Sequence, residues 1–213
     1  MKRTLIMVTL AAVLLAALVY SLRAPLRQVA VDTLTADMFV PVPQDTMQKG
    51  PAPGSRFPGL RALHNGEEIT LLEPFAGSRG TVLVASRSVE WCPYCMKEMV
   101  QLQAHKAAFD AAGVGLVALT YDAPHLQQAF ADKHGITIPL LSDIDALSFK
   151  TLGILNTDYA PGDDHYGIPD PGMIVIAPDG TVAGTLFLDG YSRRVAADAA
   201  LLFALEVLSA EAG

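Results

Sequence analysis

The two cysteines of the chain lie three residues apart in Trp91-Cys92-Pro93-Tyr94-Cys95, and the only tryptophan adjoins the first of them. A short apolar run, Thr81-Val82-Leu83-Val84-Ala85, leads into this stretch, and a helical pattern from Met96 leads out. Strand, C-x-x-C, helix is an arrangement that makes a dithiol reactive. The first cysteine sits at a helix N-terminus, where unsatisfied N–H groups and the positive end of the helix dipole favour a thiolate. Pro93 suits the first helical position, where its missing N–H has no partner to lose. The second cysteine is near enough to attack the first sulfur once that sulfur is in a mixed disulfide. The rival readings of a lone C-x-x-C are half of a zinc site and a merely structural disulfide. Zinc takes four ligands, and neither a second C-x-x-C nor a close histidine pair is present. His64, His105, His125, His134 and His165 stand singly. No metal and no cofactor is expected.

A chain of 213 residues suits one domain with length to spare, and it can bury a core without disulfide staples. Its net charge of −7 gives no electrostatic basis for binding nucleic acid. At the N-terminus, Lys2 and Arg3 precede an apolar run from Leu5 to about Leu22. That run exceeds a cleaved h-region (typically ~7–15 residues) and approaches a membrane span, and no A-x-A site follows. An uncleaved signal anchor over 1–28 is expected, with a cleaved signal peptide as the alternative. Arg23 and Arg27 on the far side blur the orientation signal. Both alternatives export the body, to the outer face of the cell membrane or as a soluble periplasmic protein. Pro41, Pro43, Pro51, Pro53 and Gly54 exclude a helix or central strand, so 29–56 is expected to be an extended linker. An ordered arm on the domain surface is the alternative.

The domain is expected over 57–213. Leu60–His64 and Glu68–Leu72 flank Asn65-Gly66, a hairpin signal. Thr81–Ser86 and Val114–Thr120 are continuous apolar runs, the mark of strands buried on both faces. Helices are expected from Pro93 to Ala112, after Asp122-Ala123-Pro124 as far as Gly135, and after Ser142 and Asp143 through about Leu152. Asn156–Pro171, with four aspartates, reads as a solvated active-site rim. Met173–Ala177 and Thr181–Leu188 form a second hairpin, and a helix from about Arg193 to Ala210 closes the sheet. The pattern predicts an α/β fold, a central mixed sheet with helices on both faces and an N-terminal hairpin extension.

Three segments carry a resemblance to the thioredoxin superfamily, in its redoxin branch of peroxiredoxin-like proteins and membrane-tethered periplasmic thioredoxins. Arg87–Cys95 is similar to W-C-x-x-C. Phe130–Asp143 resembles the peroxiredoxin-type connection. Pro171–Gly180 resembles P-x-x-F-x-I-D-x-x-G, with Ile174 and Ala177 in place of Phe and Asp. The resemblance implies a redox-active disulfide between Cys92, the attacking thiolate, and Cys95, the resolving thiol. Trp91, Pro93 and Tyr94 support the site. Pro171, preceded by Asp170, would be a cis-proline facing the dithiol. Two departures stand out. Thioredoxins carry a buried acid at the place of Ser86, so Glu90 or Glu98 would have to serve Cys95. Counted from Cys92, the peroxiredoxin pattern P-x-x-x-T-x-x-C falls on Ala85 and Val89, without the hydroxyl. Arg87 or Arg193 is a candidate for positive charge.

The leading expectation is an extracytoplasmic thiol–disulfide oxidoreductase acting on protein thiols or disulfides, with a membrane electron donor among its partners. The alternative is an antioxidant thiol peroxidase with peroxide as substrate, Cys92 as the peroxidatic cysteine and Cys95 as the resolving one. A non-enzymatic binding module is the third class, and the intact dithiol argues against it.

Overall fold

The computed structural model describes residues 2–143 and 145–211, with side chains over 14–143 and 145–210. Met1 and residues 212–213 of the expected segments lie outside the described residues, as do the side chains of the apolar residues 5–13. Two compact units are present, one ending at Asp37 and one beginning at Met38. The first is helix α1, Lys2–Leu34, which continues through Pro25 and well past the expected end of the anchor. Over Leu14–Leu34 its mean hydropathy is 1.3 and none of it is buried. By length and composition it can cross a membrane.

The second unit is built on a seven-stranded mixed sheet. In chain order it contains β1 (Phe39–Val40), β2 (Ala62–His64), β3 (Glu67–Ile69), β4 (Gly80–Ala85), α2 (Pro93–Ala111), β5 (Val114–Thr120), α3 (Pro124–His134), β6 (Leu140–Ser142), α4 (Leu147–Thr151), β7 (Gly172–Ile176), β8 (Val182–Phe187), β9 (Arg194–Val195) and α5 (Ala197–Glu211). The strand order is β3-β2-β6-β5-β4-β7-β8. β4, β5 and β6 are parallel, while β7 and β8 return antiparallel. The alternation of side chains explains why β4 reads as an unbroken apolar run. Val82 and Val84 face a core built with Met99, Leu102 and Phe109 of α2 and Ala200, Ala204 and Leu208 of α5. Leu83 and Ala85 face a second core with Phe149, Leu152 and Ile154. The hairpin turn places Asn65 and Gly66 at positive φ (51° and 84°), as an Asn-Gly turn requires.

Two expectations need correction. Residues 38–56 are not a free linker but an ordered arm along the domain. Met47 N–H donates to Phe187 O (2.9 Å), Gly54 N–H donates to Val182 O (2.8 Å), and Val182 N–H donates to Ser55 O (2.8 Å). The prolines bar the arm from helix and central strand, yet an edge strand needs partners for its outward polar groups, and the residues between the prolines supply them. The second correction concerns the last helix, which begins at Ala197 rather than near Arg193. Arg194 and Val195 instead form β9, paired in parallel with Phe39 and Val40 of the arm.

The arm therefore contributes to stability. A domain expressed from Phe57 is expected to unfold at a lower urea concentration than one expressed from Met38, since each lost hydrogen bond is worth about 0.5–1.5 kcal/mol. Equal midpoints would show that the arm is dispensable.

Candidate active site

Cys92 is the N-cap of α2, in extended conformation (φ −87°, ψ 105°), with Pro93 in the first helical turn. Its sulfur accepts the Cys95 N–H at 3.3 Å. The two cysteines are joined in a disulfide with their Cα atoms 5.3 Å apart. Both are buried, Cys92 2% exposed and Cys95 0%.

The loop that delivers them is fixed by a buried aspartate. Asp122 accepts from Ser88 Oγ (2.6 Å), Val89 N–H (2.8 Å) and Thr120 Oγ1 (2.8 Å). Ser88 Oγ in turn accepts the N–H groups of Glu90 and Trp91. Asp122, read from sequence as one of two start signals for α3, leaves that helix uncapped by a side chain and braces the dithiol loop instead.

The charge beside the dithiol is Arg194. Its Nη2 lies 3.5 Å from Cys95 Sγ, and its Nε donates to Glu98 Oε2 at 2.7 Å. Both members of the pair are almost fully buried. The carbonyls of Tyr191 and Arg193 accept from Nη1, so most of the fork is satisfied. Burial pushes the Glu98 carboxyl above its ordinary range, with the Arg194 charge pulling against it. Arg194 is itself held from outside, since its N–H donates to Met38 O (2.7 Å) and the N–H of Ala196 donates to Val40 O (2.9 Å). The arm thus positions the cation. Of the two glutamates considered from sequence, Glu98 joins the site and Glu90 is exposed. The structure brings Arg194, not Arg193, to the dithiol.

An aromatic rim surrounds the loop. Trp91 Nε1 donates to Tyr121 OH (2.8 Å), and the indole stacks on His165 with ring centres 4.6 Å apart. Asn156–Pro171 therefore reaches the site through His165, consistent with its expected place at the rim. Tyr94 meets Tyr191 edge-on at 5.9 Å. Arg87 Cζ lies 5.2 Å from the Trp91 ring centre and 4.7 Å from that of Tyr191. Such contacts are worth about 0.5–2 kcal/mol each. Burial raises the Tyr121 phenol above its usual range, so it stays protonated at neutral pH.

Pro171 departs from the expectation. Among the described residues no peptide bond is cis. Trans is the lower-energy form of an X-Pro bond, and here it agrees with the anchoring of Asp170 on both sides. Asp170 N–H donates to Ile154 O (2.8 Å), Asn156 Nδ2 donates to its Oδ1 (2.7 Å), and Lys49 of the arm pairs with its carboxylate. Pro171 lines a narrow cleft with Glu98, Met173 and Arg194. Asp170 secures the strand entry. Sequence offered one signal for the missed Arg194: an arginine in a stretch that was read as the start of an apolar helix.

The profile of the AhpC/TSA family matches residues 53–185. Alkyl hydroperoxide reductase E of Mycobacterium bovis is 23% identical over 129 residues, which are 61% of this chain and 80% of that protein. Among solved structures, peroxiredoxin 6 of Arenicola marina superposes with a TM-score of 0.63 at 17% identity, covering 74% of each chain. The bacterioferritin comigratory protein of Xanthomonas campestris superposes with a TM-score of 0.57 at 24% identity, covering 79% of this chain and all of the other.

Replacing Glu98 with Ala leaves a buried guanidinium uncompensated, and a loss of about 3–5 kcal/mol is expected in urea unfolding. The raised Glu98 carboxyl also carries a pH signature. Folding favours its protonated form, so its contribution is full below the ordinary carboxyl range and is lost as pH rises through the higher folded value. In Glu98→Gln that part of the stability–pH slope should vanish. An unchanged slope would place the carboxyl in its ordinary range.

Proposed function

Because the chain belongs to the AhpC/TSA family, we propose that this peroxiredoxin-type oxidoreductase is a thiol peroxidase, in which Cys95 meets the peroxide and Cys92 resolves it. The observation that carries the reading is the guanidinium of Arg194 at 3.5 Å from Cys95 Sγ, oriented by Glu98. In the reduced protein that cation favours the Cys95 thiolate and supplies N–H donors where charge develops on the departing oxygen. Counted from Cys95 rather than Cys92, the P-x-x-x-T-x-x-C pattern puts Cys92 at the Thr place and Ser88 at the Pro place. The hydroxyl position is then taken by the resolving thiol.

The Cys95 thiolate attacks one oxygen of the hydroperoxide and the O–O bond breaks. Sulfur becomes a sulfenic acid, and the departing alkoxide takes a proton to leave as alcohol. Cys92 then attacks the Cys95 sulfur, water leaves, and the Cys92–Cys95 disulfide forms. An external thiolate reopens it at Cys92, and Arg194 stabilises the departing Cys95 thiolate. A second external thiol frees Cys92 as an external disulfide. In this last half-reaction Cys92 carries the mixed disulfide as the attacked sulfur, whereas the reading from residue order gives it the attacking and peroxidatic role and makes Cys95 the resolving thiol. The half-reaction also supports thiol–disulfide exchange as a second reading, since Cys92 stands at the helix N-cap with its sulfur on the Cys95 N–H.

We also propose that α1 anchors the domain on the outer face of the cell membrane, where the dithiol works in an oxidising space. A protein fully released by a high-salt wash would contradict the anchor.

Trp91 is the sole tryptophan and reports on its neighbour, so stopped-flow fluorescence tests the chemistry. Reduced protein mixed with peroxide should oxidise far faster than free cysteine thiolate. Cys95→Ser should abolish that phase. Cys92→Ser should retain it and stop at a sulfenic acid. A rate no faster than free cysteine, alongside fast oxidation by a protein disulfide, would favour exchange. Loss of the phase only in Cys92→Ser would return the attacking role to Cys92.

A further inference from the structure

Arg87 is the buried cation that the mechanism above does not use. It is 7% exposed, its Nε has no hydrogen-bond partner, and no carboxylate among the described residues pairs with it. A buried guanidinium normally has an anion or a set of carbonyls to answer its five donors. Arg194, a few residues from Tyr191, shows what that looks like in this protein. Arg87 has only ring faces, those of Trp91 and Tyr191. Those rings hold the guanidinium in place while leaving its in-plane N–H groups unused.

The nearby carboxylates are otherwise engaged or turned to solvent. Asp122 is consumed by Ser88, Val89 and Thr120, and Glu90 is exposed. Tyr121 meets the same indole that Arg87 lies over, with Trp91 Nε1 2.8 Å from its hydroxyl and Arg87 Cζ 5.2 Å from the ring centre. The Tyr121 oxygen accepts from Trp91, so its own proton remains to be donated. Tyr191, 55% exposed, opens the place to solvent, and Tyr94 extends the aromatic wall. A planar fork of donors, a phenol O–H and an apolar rim match a carboxylate carried on a small organic body.

We propose that Arg87, with Tyr121, is the receptor for the carboxylate of a small reactant of the dithiol, five residues before Cys92. This rests on the reading of Cys92 and Cys95 as a reactive pair, and it names the class of molecule they receive. The carboxylate can arrive on either of two reactants, the hydroperoxide or the thiol that reduces the disulfide.

Binding is measured first, on the full chain in neutral detergent and in its disulfide form, so that no turnover is involved. Hexanoate should change Trp91 emission saturably and roughly tenfold more tightly than neutral hexanamide. The preference should disappear in Arg87→Gln. Equal response to hexanoate and hexanamide in the unmodified protein overturns the proposal without reliance on any variant. Two kinetic arms then identify the carrier. Disulfide reduction by 3-mercaptopropionate is compared with 2-mercaptoethanol at equal thiolate concentration. Oxidation of the dithiol by a carboxylate-bearing hydroperoxide is compared with tert-butyl hydroperoxide. An Arg87-dependent preference in either arm names the reactant, and none in both overturns the assignment. Failure of the peroxide reaction itself leaves the binding result standing and counts only against the peroxidase reading.

Discussion

The Arg194–Glu98 pair beside Cys95 is the interaction around which this site is arranged. A guanidinium and a carboxylate are both expensive to bury, and this pair is tolerable only because its geometry is close and two carbonyls take further N–H groups. The burial that makes the pair costly also makes it effective. In a shielded setting the cation acts on the neighbouring sulfur with little loss to solvent screening. The same burial lifts Glu98, so the carboxyl and the thiol share one electrostatic environment.

That pair depends on elements far apart in sequence. Glu98 lies one turn along α2 from Cys95 and shares the face of the helix that packs on the sheet. Arg194 arrives from β9, a two-residue strand that exists because the arm offers Phe39 and Val40 as its partner. The arm also pairs with the edge of β8 and reaches Asp170 through Lys49. A segment that looks like a spacer is therefore part of the scaffold of the site, and the cation's position is tied to the chain just after α1. On the other side, Asp122 fixes the loop before the dithiol from the end of β5.

The two arginines near the dithiol have different surroundings. Arg194 is answered on most of its fork by carboxylate, carbonyls and sulfur. Arg87 is framed by Trp91 and Tyr191 and has no anion. In the proposed scheme the first serves the sulfur of Cys95 and the second receives a charge carried by a reactant. Trp91 links the Arg87 region to the 156–171 loop through His165.

Much of this protein is legible in its residue order. Local patterns carry it: the apolar runs of β4 and β5, the Asn-Gly turn, Pro93 at the head of α2 and Gly135 at positive φ at the end of α3. Each depends on neighbours a few residues apart, and so does the C-x-x-C itself. What the residue order left open needed partners distant in the chain. Arm and linker share the same prolines, and it is the partners distant in the chain, the edge of β8, β9 and Asp170, that make the segment an arm. Ser88, Asp122, Glu98 and Arg194 are ordinary polar residues until the fold buries them against one another. The identity of the dithiol is local chemistry, whereas the cation beside Cys95 is placed by the tertiary structure, and its influence there is a product of burial, because removal from water is what gives a single guanidinium that much weight.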